Sequence, residues 1–169
     1  LLDFQEAGAD LPEAKRKRLE NISQELAQVT QKFSEQVLDA TNEWKLIIQE
    51  EERLKGLPET AKEAARQTAI EKLGEAEGAN AWVFTLHTPS MLPVLQYLED
   101  EAIRKEVWSA SNKLCVDPPY ANEPLIRQII KLRQEKADIL GKDNFADTVL
   151  TRRMAKSGEK ADQFVSELR

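Results

Sequence analysis

Between Leu19 and Val37 the apolar residues Leu19, Ile22, Leu26, Val29, Phe33 and Val37 recur at steps of three and four. Only an α-helix puts such a series on one face, so this segment has to be a long helix with a narrow apolar stripe. Asp10 reads as its N-cap, with Pro12 in the first turn and Glu13 where a capping acid sits. About 28 residues at 1.5 Å each give a rod of roughly 42 Å. A stripe this narrow predicts packing against another long helix.

The periodicity then changes. Trp44 to Ile48 is a short run of strand formers, and Trp82 to Leu86 is a second, closed by Pro89. The two runs predict one antiparallel ribbon, with Trp44 and Trp82 stacked on the same side. An Ala-rich helix from Thr60 to about Leu73 lies between them, and Gly74 to Asn80 reads as a loop. A two-stranded ribbon is marginal alone and has to lie on helices. Beyond it the pattern is helical again. Ser90 is expected to cap a helix through Leu98, and Asp100 a helix carrying Ile103, Val107, Ala110 and Leu114. Asp117-Pro118-Pro119 is a break. Asn122 is expected to cap a helix carrying Leu125, Ile129, Leu132, Lys136 and Leu140, ended by Gly141. Asn144 opens a short helix and Ser157 the last one. The expected fold is mainly α: a multi-helix bundle with one small two-stranded antiparallel β ribbon, in a single helical domain over 1–169.

Charge excludes some functions. The chain carries 24 Lys and Arg against 30 Asp and Glu, a net charge of −6. That disfavours binding to nucleic acid or to an anionic membrane surface. No apolar run approaches the roughly 20 residues of a membrane span. One cysteine, Cys115, cannot form an intrachain disulfide, and a cytoplasmic, reducing setting is expected. The chain opens at Leu1 and closes inside an amphipathic helix, so it reads as a fragment of a longer polypeptide.

Chemistry is scarce. His87 is the only histidine, and Thr88 and Pro89 follow it, so HExxH is absent. Cys115 with His87 is the one conceivable nucleophile pair, yet nothing in the spacing brings them together, and a small buried thiol is favoured. Glu99-Asp100-Glu101 reads as helix capping and Glu50-Glu51-Glu52 as a solvated turn. Arg152, Arg153 and Lys156 form a small basic spot at a helix end. Asn21-Ile22-Ser23 fits a glycosylation triplet by coincidence. The expectation is no catalytic, cofactor-binding or metal residue in this segment.

Three stretches carry a resemblance. One is Gly8-Ala9-Asp10-Leu11-Pro12, with Phe33-Ser34-Glu35-Gln36-Val37-Leu38-Asp39-Ala40-Thr41 downstream. Another is Phe84-Thr85-Leu86-His87-Thr88-Pro89-Ser90-Met91-Leu92-Pro93-Val94, followed by Arg104-Lys105-Glu106-Val107. The last is Leu132-Arg133-Gln134-Glu135-Lys136-Ala137, then Ile139-Leu140-Gly141, Phe145-Ala146-Asp147 and Met154-Ala155-Lys156. In this order they resemble the thimet oligopeptidase and oligopeptidase A family of zinc metallopeptidases, in its amino-terminal half. The resemblance implies an enzyme that cuts short peptides in a deep channel between two helical lobes. It implies zinc on an HExxH helix, in family sequence beyond Arg169. The implied partners are that missing catalytic lobe and, for the whole enzyme, short peptides. This segment is then expected to form channel wall, inactive alone and without zinc of its own. The competing expectation is a coiled-coil-like interaction module with no enzymatic role, built on the Leu19–Val37 stripe.

Overall fold

The computed structural model describes residues 8–168. Among them are eight α-helices and one two-stranded sheet. Helix α1 is Glu13–Glu43, strand β1 Leu46–Ile48, and a 3-10 turn Glu51–Leu54 follows. Then come α2 (Glu59–Leu73), α3 (Glu75–Gly78) and β2 (Trp82–Phe84). The remaining helices are α4 (Thr88–Tyr97), α5 (Glu101–Asn112), α6 (Glu123–Ile139), α7 (Phe145–Leu150) and α8 (Gly158–Glu167). The mainly α reading with one antiparallel ribbon therefore holds. The chain divides into two compact units, Leu1–Phe33 with Glu123–Arg169, and Ser34–Asn122.

Both hydrophobic clusters among the described residues lie in the 34–122 unit. The ribbon pairs Leu46 with Phe84, Ile47 with Val83 and Ile48 with Trp82. Alternation puts Ile48, Trp82 and Phe84 on one face, where they meet Leu54, Leu57, Val94, Leu98, Ile103 and Val107. Val83 points the other way, onto Ala69 and Ala81. The alanines of α2 thus have a purpose: a small side chain lets the helix approach the strand closely. Trp44 and Trp82 both lie against the larger cluster. They do not stack as expected, because the antiparallel register puts position 44 at the opposite end of the ribbon from position 82.

Two further readings need correction. The segment from Gly74 is not a plain loop, since 75–78 form the short helix α3. A Cβ on Gly78 would fall 2.5 Å from Cα of Ile70, so this glycine is a contact point between α3 and α2. Ser90 is not a cap. Helix α4 begins at Thr88, with Pro89 in its first turn. The Ser90 hydroxyl instead accepts the Thr85 N–H at 3.0 Å, which ties the end of β2 to α4.

The 1–33 and 123–169 unit is sparser. Leu19 and Ile22 of α1 and Ile129, Leu132 and Ala137 of α6 are buried, while α7 and α8 bury nothing fully. Arg18 joins α1 to α6. Its Nε donates to Oε1 of Glu135 at 2.6 Å and its Nη2 to Oε2 at 2.7 Å. Glu25 accepts from Nη1 at 2.9 Å. The Glu135 side chain, then that of Glu25, hold the Arg18 guanidinium above its ordinary range, and Arg18 in turn lowers the Glu135 carboxyl. A two-point fork of this kind fixes rotation as well as distance between the helices.

Candidate functional site

Backbone geometry positions His87, Cys115, Glu99 and Asp100, and each has a structural partner. His87 sits at the N-cap of α4, where its carbonyl accepts the N–H groups of Ser90 and Met91. Its ring is exposed, and Nε2 lies 3.0 Å from Oδ1 of Asn42 near the end of α1. Cys115 lies past the end of α5 in a left-handed conformation, φ 59°. Its Sγ donates to the Gln36 carbonyl of α1 at 3.5 Å. Burial pushes the Cys115 thiol up, which lowers the thiolate fraction a nucleophile needs. His87 and Cys115 are thus engaged with different residues of α1, and neither bonds the other.

The acidic runs are likewise absorbed by the fold. Asp100 caps α5, its Oδ1 accepting the Ile103 N–H at 3.1 Å. Its other oxygen accepts from Arg53 at 3.0 Å. The Ile103 N–H and then Arg53 hold its carboxyl below the usual range, against the opposing pull of desolvation. Glu99 pairs with Lys55 at 2.9 Å, and its backbone N–H donates to the Lys55 carbonyl. Gly56 makes this close approach possible, because a Cβ there would strike the Tyr97 carbonyl oxygen. Glu50, Glu51 and Glu52 are exposed around the 3-10 turn. Arg152, Arg153 and Lys156 follow α7 and are exposed.

Zinc is what the resemblance implies for the whole enzyme. No group of three or more His, Cys, Asp or Glu side chains among the described residues is placed to hold a metal ion. A zinc site needs three or four converging donors. A shallow depression on α5 is lined by Ala102, Lys105, Glu106, Ser109, Ala110 and Lys113. One helix supplies all of it, so it cannot grip a ligand from several sides.

The chain is similar to known proteins. The model of peptidase family M3 matches residues 94–169. The chain is 38% identical over 165 residues to the probable cytosolic oligopeptidase A of Arabidopsis thaliana, covering 96% of this chain and 23% of that protein. It is 34% identical over 173 residues to oligopeptidase A of Salmonella typhimurium and 32% identical over 173 to that of Escherichia coli. Each of these two alignments takes in 99% of this chain and 25% of the relative. The chain belongs to the thimet oligopeptidase and oligopeptidase A family. It spans about a quarter of the length of these oligopeptidase A relatives.

Two of the stretches singled out in the sequence fall at structural junctions. Residues 84–94 cover the end of β2, the His87 cap, the Ser90 clamp and the start of α4. Residues 132–147 cover the Glu135 anchor and the Asn144 cap of α7, whose Oδ1 accepts the Asp147 N–H at 2.9 Å. The Arg18–Glu135 pair is a contribution the sequence does not announce, since 117 positions separate its members. The cation of Arg66 over Trp82, 5.3 Å from the ring centroid, is another.

Proposed function

We propose that this chain is a helical, channel-wall segment of a zinc-dependent oligopeptidase that hydrolyses short peptides, with the catalytic centre supplied by sequence outside these 169 residues. The observation that carries the reading is the pairing of oligopeptidase A likeness along nearly the whole chain with the lack of any converging donor set among the described residues. A channel wall needs long packed helices, and the 31-residue α1, forked to α6 through Arg18 and Glu135, fits that need.

The interaction-module alternative is weakened by burial. Leu19, Ile22 and Val29 are 4%, 0% and 8% exposed, so much of the stripe is already covered within one chain. Replacing the matching quarter of Escherichia coli oligopeptidase A with this chain tests the proposal. The chimaera is expected to cut a quenched short peptide and to leave a folded protein intact. A chimaera that folds and binds zinc yet cuts no peptide, or that degrades the folded protein, contradicts the assignment.

A further inference from the structure

We draw no further inference here: the strongest candidate, the exposed apolar face of α8 formed by Phe164, Val165 and Leu168, carries nothing because nothing in the structure shows what covers it.

Discussion

Replacing Gly78 with alanine pits local propensity against tertiary contact. Gly78 ends α3, and an exposed helix position gains about 0.8–1 kcal/mol when Gly becomes Ala. Here the added Cβ would lie 2.5 Å from both Cα and N of Ile70 and 2.6 Å from the Ala69 carbonyl carbon. Carbon atoms rest at about 3.5–4.0 Å, so α3 would have to retreat from α2 by roughly 1 Å. The obstacle is backbone, which cannot rotate aside as a side-chain tip does. Overpacking of this kind costs up to about 3 kcal/mol, and subtracting the propensity gain leaves a net loss near 2 kcal/mol. With a urea slope of about 2 kcal/mol per molar, the unfolding midpoint falls by about 1 M. Tryptophan fluorescence follows it, since Trp82 sits in the affected unit. Glu77→Ala, at an exposed neighbouring position, should stay within about 0.5 kcal/mol of the parent. An unchanged or raised midpoint for Gly78→Ala would refute the packing argument.

Other outcomes follow from the same geometry. Phe84→Ala removes the largest fully buried side chain and should cost about 3–5 kcal/mol in chemical denaturation. Asp100 has a carboxyl depressed by the Ile103 N–H and Arg53, so its stabilisation is present above its ordinary value of 3.8 and is lost as pH falls through the lower folded value. Asp100→Asn should therefore flatten the acid limb of the stability–pH curve, and an unaltered limb would contradict the capping role. The Cys115 thiol, raised by burial, should react with iodoacetamide more slowly in the folded chain than in urea. Equal rates would show that it is not shielded.

Local signals account for most of what the sequence reveals. The α1 stripe is legible because three-and-four spacing survives any context, and Leu19, Ile22 and Val29 are indeed buried. Asp100, Asn144 and Ser157 cap the helices assigned to them because capping is settled within three residues. Long-range contact decides what was missed. Gly78 looks like a loop breaker until α2 is set beside it, and Ser90 looks like a cap until its hydroxyl is seen holding Thr85. The partners of His87 and Cys115 both lie on α1, 45 and 79 positions away, beyond the reach of pattern reading.

Zinc stoichiometry of the purified 169-residue chain addresses the central claim most directly. After dialysis against zinc and removal of loosely held metal, mass spectrometry of the native chain should find far less than one ion per molecule, with no cleavage of a quenched peptide. One tightly bound zinc per chain, lost on His87→Ala, would show a metal centre within this segment and contradict the account.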